Sequence, residues 1–414
     1  MGSSASLVSA NATLKTLYSS QDLVDATYKG LPLWEMIKKV DDYDGDGNFN
    51  TAPHQVGSQS GVSADFASAN NNTTANVYKR FQIPGGKVYG VGHIEADLVR
   101  MSRKNPTSYV RGLEAEQRGL NRRVQNVVSA LLWGNGGGAI GQIKAASAVN
   151  TTTLTLQSKA AFRFFNIGAK LVVSADDGAD AGDTLRAGSL VVTAVNPRDG
   201  TVTCDVALNV GIPAVAAGDY VFLEGTFGQT NPLITGVGGW IPQTDPSATP
   251  FLGVNRAVYP HGLAGQRYLD GTGGAIEDVF IDFCAYLAEV GSEPSHIFVH
   301  PSKFGALAKA LANKVHIDDK SEASIGYRRI KVVSPTGTVE VLGDPGCPVT
   351  GLYALNVETW VFHHNGELFG MIEDGDGNVL MYEGTNGHDR YQWQILAFGL
   401  LECQEPMHQG FALL

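Results

Sequence analysis

The sequence predicts an α+β protein of several domains with a small all-β domain inserted among them. Three observations predict it. From Gly45 to Val77 runs a long polar excursion of low charge. An uninterrupted amphipathic helix pattern follows over Pro106–Trp133, and from about Ile143 to Gly225 short strand-like runs dominate. At 414 residues the chain exceeds one compact core and suggests about two to four domains. Apolar residues make up 43% of it, near the globular norm, and charged residues only 17%. The 50 glycines, many in strand-punctuating dipeptides, point to a β-rich chain with many tight turns.

Residues 1–44 read as an N-terminal arm: a polar lead, then short helices at Gln21–Tyr28 and from Pro32. The second carries Leu33, Trp34, Ile37 and Val40 at helical spacing, with proline near its first turn. Asp41–Gly47 breaks it. Residues 45–100 read as an extended, irregular hairpin with its tip at Asn70–Thr74. It returns through Val77–Ile94 with an interruption at Pro84-Gly85-Gly86. The large apolar residues between Gly45 and Val77 are Phe49, Val56, Val62, Phe66 and Val77. That is too little apolar surface to offset the entropy of ordering the segment. A lone two-stranded hairpin is marginal in water, so this limb is expected to gain its order on a neighbouring copy. The contact candidates are Phe66, Asn71, Lys79, Arg80, Phe81 and Lys87. The three cations flank the return strand and are expected to meet acidic groups of a neighbour, each pair contributing about 0–1 kcal/mol.

Residues 101–140 hold the long helix. Asn105 is placed to cap it and Pro106 suits its first position. Val110, Leu113, Leu120, Val124, Val127, Val128, Leu131 and Leu132 form one stripe over roughly 40 Å. Gly112 and Gly119 each cost up to about 1 kcal/mol against alanine, which predicts close packing there or a helix held firmly along its length. The pattern stops at Gly134-Asn135-Gly136-Gly137-Gly138. This predicts a flexible hinge of Gly134, Gly136, Gly137 and Gly138 leading into the inserted domain, residues 141–227. Strands are expected there at Thr152–Leu156, Ala169–Val173, Ser189–Val195, Thr201–Val206 and Asp219–Leu223, in a small barrel or sandwich. A Gly/Pro-rich strap, 228–274, is followed by an α/β domain over 275–390 and a closing strand over 391–414.

The formal charge of −11 disfavours tight binding to a phosphate backbone. Arg118, Arg122 and Arg123 sit on the long helix beside Glu114 and Glu116, as solvated ion pairs would. Cys204, Cys284, Cys347 and Cys403 are far apart without metal spacing, and free thiols are expected. No apolar run approaches the ~18 residues of a membrane span, and Met1–Ala10 lacks the features of a secretion signal. A soluble chain made in a cytoplasm is expected.

Motifs that carry chemistry are fragmentary. Asp42, Asp44, Asp46 and Gly47 match the first half of a calcium loop, but the position of its bidentate glutamate is Pro53. Asp374, Asp376, Gly377 and Glu383 lie between alternating strand patterns, where Asp376-Gly377 suits a hairpin turn. Gly136–Gly141 satisfies GxGxxG but follows a helix, the reverse of a dinucleotide site. His363 and His364 are adjacent on a strand pattern and face opposite ways. Cys347, between Gly346 and Pro348, reads as a turn residue. No catalytic residue, metal site or cofactor is expected.

The order of parts resembles the major capsid proteins of tailed bacteriophages, the Hong Kong 97-type fold family. The likeness rests on the long helix over Asn105–Asn135 and on Phe251–Ala257 in the strap. Its C-terminal part is Tyr353–Trp360, Leu368–Ile372 and Asp389–Pro406. It covers nearly the whole chain through the order of elements rather than through any one motif. The resemblance implies an N-arm, an E-loop hairpin over the neighbouring subunit, a spine helix, and peripheral and axial domains. It implies a non-enzymatic subunit, a virion component assembled in the host cytoplasm. Such subunits form pentamers and hexamers in an icosahedral shell around packaged double-stranded DNA, held without sequence-specific contacts. Its implied partners are other copies of itself, a scaffolding protein, a portal and a decoration protein, with no membrane. The inserted domain departs from the minimal family pattern. Two other readings stand beside this one: an encapsulin compartment, which shares the fold, and a multidomain hydrolase or carbohydrate-binding protein.

Overall fold

The computed structural model describes residues 31–43, 48–97, 106–269, 274–312, 330–335, 337–366, 368, 370–373, 375–384 and 389–414, and the side chains of the long helix from 116 onward. The expected helix at Gln21–Tyr28 and the helix cap at Asn105 lie outside them. The described chain is mixed α+β, with three six-stranded sheets, two small ladders and one long helix.

The chain enters through α1, Pro32–Met36, which buries Leu33 and Trp34. The expected helix stops earlier than its apolar spacing suggests. Ile37 turns to extended backbone, and β1, Lys38–Asp41, pairs in parallel with Trp360–His364. One turn has already buried the stripe, and β-branched Val40 fits a ladder better than a second turn.

The arm follows. Its root is β2, Asn48–Asn50, and its limb continues with β3, His54–Gly57. The tip is a short helix, α2, Phe66–Asn71, which overlaps the tip expected at Asn70–Thr74 and begins before it. Asp65 caps it by accepting from the Ser68 amide at 2.9 Å. The chain returns through β4, Val77–Lys79, paired with β3 across a bulge at Gln55–Gly57, and β5, Gln82–Pro84, paired with β2. The arm therefore ends at Pro84. The next strand, β6, Gly86–Glu95, was expected in the hairpin but pairs along its whole length with Arg390–Cys403, from Gly86 opposite Gly399 to Glu95 opposite Arg390. A Cβ at Gly86 would collide with the backbone of Leu233 and Ile234, so this crossing point admits only glycine.

The long helix, α3, spans Pro106–Trp133, the range the periodicity predicts. It lies on β6, where a Cβ at Gly90 would come within 2.8 Å of Val124. Val124, Val128, Leu131, Leu132 and Trp133 are buried. Close packing does not account for Gly119, since a Cβ there would meet no atom within 4 Å. The helix is held instead by its opposite face.

The inserted segment forms its own antiparallel sheet. Its strands are β7 (Gly141–Gln142), β8 (Thr153–Thr155), β9 (Lys170–Ser174), β10 (Leu190–Asn196), β11 (Thr201–Cys204) and β12 (Tyr220–Leu223), in the order β7-β12-β9-β10-β11-β8. First and last strands pair, which brings entry and exit together. Leu154, Leu171, Val173, Leu190, Val192, Val202 and Val221 form its separate core. Arg186 closes it with a forked ion pair to Asp219, at 2.6 and 2.8 Å.

The third sheet holds β13 (Gln266–Tyr268), β14 (His296–Val299), β15 (Ile330–Ser334), β16 (Gly337–Gly343), β17 (Gly351–Leu355) and, from the C-terminus, β22 (Gly410–Leu413). Helices α4, Ile276–Glu289, and α5, Pro301–Ala312, share its core with Phe280, Phe283, Leu287, Ile297 and Leu307. The α/β unit expected over 275–390 is shorter than that. β18 (Trp360–His364), β19 (Gly370–Met371) and β20 (Met381–Glu383) all pair with β21 (Arg390–Cys403), in the sheet that holds β1 and β6. The closing residues are split in turn: β21 belongs to the first sheet and β22 to the third. The strap expected over 228–274 is only partly a surface element: 229–232 and 247–250 are exposed, but its middle turns inward. Leu233, Ile234, Val237, Trp240 and Ile241 are buried in the central core, and the Trp240 indole donates to the Leu401 carbonyl at 3.0 Å.

Candidate assembly surface

The arm divides sharply at Phe81. Phe81 is wholly buried, packed edge-on against Trp240 (ring centroids 4.9 Å apart) and His54 (5.2 Å). Its amide donates to the Thr51 hydroxyl and its carbonyl accepts from the Thr51 amide. From 58 to 80 no residue is buried. The distal limb is laced by polar bonds instead. The Gln59 amide donates to Asn76, the Ser60 amide to Thr74, and the Ser60 hydroxyl to the Asn72 carbonyl at 2.6 Å. On this polar frame stand Val62, 87% exposed, and Phe66, 85% exposed, with Val77 and Tyr78 about half exposed.

The structure brings together only part of the expected contact set. Phe66 opens the tip helix and Asn71 closes it, both exposed. Lys79 and Arg80 are exposed on the return limb. Phe81 is taken up by the chain's own core and offers no surface to a neighbour. An aromatic residue at a strand edge suits either place, and only the positions of Trp240 and Phe251 decide. Lys87 lies apart from the arm, exposed on β6 with its ammonium 5.1 Å from the centre of the Phe398 ring.

The glycine run after α3 is a packed joint rather than the flexible hinge the sequence predicts. Gly136 and Gly138 adopt φ of +92° and +87°. A Cβ on Gly137 would collide with the Asp177 carbonyl and one on Gly138 with that of Thr226. The Gly137 carbonyl accepts from the Gly228 amide at 2.8 Å, and Asn135 donates to Asp177 at 2.7 Å. The glycines serve close backbone approach between α3, the inserted sheet and the strap. Gly134 caps this run, its amide bonded to the Leu131 carbonyl.

Sequence reasoning missed two features. The first is a cleft of about 980 Å³ between α3, β6 and the inserted sheet, lined by Leu120, Val124, Val127, Tyr89, Val91 and Leu223. Its charged neighbours are engaged: Arg123 donates to the Phe164 carbonyl and Lys170 pairs with Glu224, each at 2.6 Å. Along it, β6 exposes Lys87, Tyr89, Val91, His93 and Glu95 in strict alternation. That alternation is readable in the sequence, but the identity of the covered face is not. The second is His363, held between Asp42 and Glu402 at the arm's root. A lone glutamate in the apolar run Leu400-Leu401-Glu402-Cys403 was the available signal.

All four cysteines are buried free thiols. Burial pushes Cys204 and Cys284 up to about 11 and raises Cys347 and Cys403 well above the ordinary thiol value, so none supplies a thiolate nucleophile near neutral pH. Among the described residues no three His, Cys, Asp or Glu side chains gather within reach of one metal ion, and no helix is long and apolar enough to cross a membrane.

No protein-family model matches the chain, and no curated protein matches it. Solved structures do align with it over most of its length. The cyanophage A-1(L) capsid asymmetric unit aligns at 11% identity over 90% of this chain and 89% of its own, with a TM-score of 0.46. The capsid of the native GTA particle aligns at 8% identity over 92% and 89%, with a TM-score of 0.44. A holo-encapsulin complex from Synechococcus elongatus aligns at 10% identity over 93% and 88%, with a TM-score of 0.40.

Proposed function

We propose that this chain is a structural shell subunit of the Hong Kong 97 type. It self-assembles through pentamers and hexamers into an icosahedral container for packaged double-stranded phage DNA. One observation carries the reading: a limb of the chain, 58–80, buries none of its residues yet presents Val62, Phe66, Val77 and Tyr78 to solvent on a polar frame. Exposed apolar residues gathered on a projecting element mark an interaction surface. Its two-stranded part is too small to be stable alone. A second copy supplies what it lacks, and repetition of that contact closes a shell. A typical interface buries on the order of 800 Å² per partner, within reach of such a limb.

The charge of −11 suits a container that must not grip its contents. The buried thiols give the chain no reactive nucleophile of that type. Scaffolding protein, portal and decoration protein are the partners this reading assigns.

The test uses the full chain, with negative-stain microscopy and sedimentation velocity. Uniform polyhedral shells or capsomer rings are expected. Replacing residues 59–76 by a short Gly/Ser turn should abolish them while leaving a folded, soluble subunit. A wild-type chain that stays monomeric at high concentration, with its limb resistant to protease, would sink the proposal. Shells that form around a cargo enzyme rather than DNA would assign the encapsulin variant of the same reading.

A further inference from the structure

The root of the arm carries a polar cluster set apart from the exposed limb. Asp42 follows β1, His363 lies on β18 and Glu402 on β21. Nδ1 of His363 is 2.7 Å from Asp42 Oδ1, and Nε2 is 3.0 Å from Glu402 Oε2. His363 and Glu402 are buried, and the ring of Phe49, on β2, stacks on the imidazole at 4.3 Å between centroids. One side chain thus touches the exit of β1, the first strand of the arm, and two strands of the main sheet.

A neutral imidazole has one N–H and one lone pair. Here both ring nitrogens face carboxylate oxygens. In the neutral ring one contact would set lone pair against lone pair, and a buried polar contact left unmade is costly. The imidazolium donates to both carboxylates. Among the described residues, the other groups around it do not replace it. Lys38 of β1 stands opposite Val361, which stands opposite Glu402, so it shares that face, but its side chain is exposed. His364 faces the other way, with Nδ1 2.8 Å from the Gly366 carbonyl and 3.9 Å from Asp41. Leu400, opposite His363, and Phe49 bring no charge.

We propose that His363 is a proton-held clasp. While protonated it ties β1 and the first arm strand to β18 and β21, and loss of the proton releases the root of the arm. Burial works against the charged ring, but the hydrogen bonds to Glu402 and Asp42 outweigh it and raise its pKa above the ordinary 6.5. A folded pKa above the unfolded one places the stabilisation in full below about pH 6.5, and it is lost as pH rises through the folded value. The clasp is internal to one chain and stands whether or not the chain forms shells.

The test is hydrogen exchange by mass spectrometry on the full chain from about pH 5 to about pH 9, corrected for intrinsic rates. In the wild type, protection of 38–41 and 48–50 should fall about tenfold with rising pH, the loss of one charge-assisted bond. The strands at 266–268 and 410–413, in the third sheet, should not change. In Glu402→Gln the amide can donate to Nε2 while Nδ1–H donates to Asp42, a set that suits the neutral ring. That variant should keep its protection across the range. His363→Phe should show the low value throughout. If it fails to fold, the wild type and Glu402→Gln decide alone. Protection at 38–41 and 48–50 that ignores pH in the wild type, or a Glu402→Gln profile that tracks the wild type, would overturn the clasp.

Discussion

Gly119 and Gly138 place one residue type in opposite situations. Gly119 is exposed in the middle of α3, with nothing within 4 Å of where a Cβ would stand. Gly119→Ala should therefore stabilise the fold by about 0.5–1 kcal/mol, the helix-interior difference between the two residues. Gly138 has φ of +87°, and its Cβ would strike the Thr226 carbonyl. Gly138→Ala should destabilise by at least about 1–3 kcal/mol from backbone strain alone. Urea titration of both variants reads the contrast directly. Equal and small shifts would mean that the joint yields more easily than its packing shows.

At the scale of elements, the arm behaves as two parts with a boundary at Phe81. Phe81 is enclosed by Trp240, His54 and Phe251, and Phe66 touches solvent over 85% of its surface. Phe81→Ala should cost about 3–5 kcal/mol of subunit stability, as large core truncations do. Phe66→Ala should change subunit stability by less than about 0.5 kcal/mol but weaken assembly, raising the concentration at which particles form. Denaturation and sedimentation measured on the same two variants separate root from tip. If Phe66→Ala assembled like the wild type, the tip helix would not be the contact.

At the scale of the whole molecule, three sheets divide the labour. The first and third meet in one core around Trp133, Trp240, Tyr353 and Trp360, with Trp133 and Tyr353 rings 5.4 Å apart. The inserted sheet keeps a core of its own and has paired end strands. Residues 139–225 expressed alone should therefore fold and unfold cooperatively, checked by circular dichroism against urea. A gradual, non-cooperative loss of signal would show that the sheet needs α3 and the strap for its structure. The rest of the chain interleaves too far in sequence for any such cut. β1 pairs with β18, and β21 and β22 return to different sheets.

By itself the sequence determined the elements whose cause is local. The period of the apolar stripe, with Pro106 before it and Gly134 after it, is enough to place α3. Alternation and turn residues place five of the six inserted strands to within a residue or two and miss β7, and apolar poverty marks the limb around Phe66 as a stretch with no core of its own. Tertiary structure alone decided everything that depends on which distant segment lies alongside. The chain at Lys38–Asp41 becomes a strand because Trp360–His364 is there to pair with it. β6 leaves the arm because β21 offers it a full-length partner, and Phe81 is buried because Trp240 arrives from the strap. His363 meets Asp42 and Glu402 only once β1, β18 and β21 are aligned. Local pattern records what one stretch of chain prefers, whereas pairing between remote strands is settled by the packing of the whole, which no short stretch encodes.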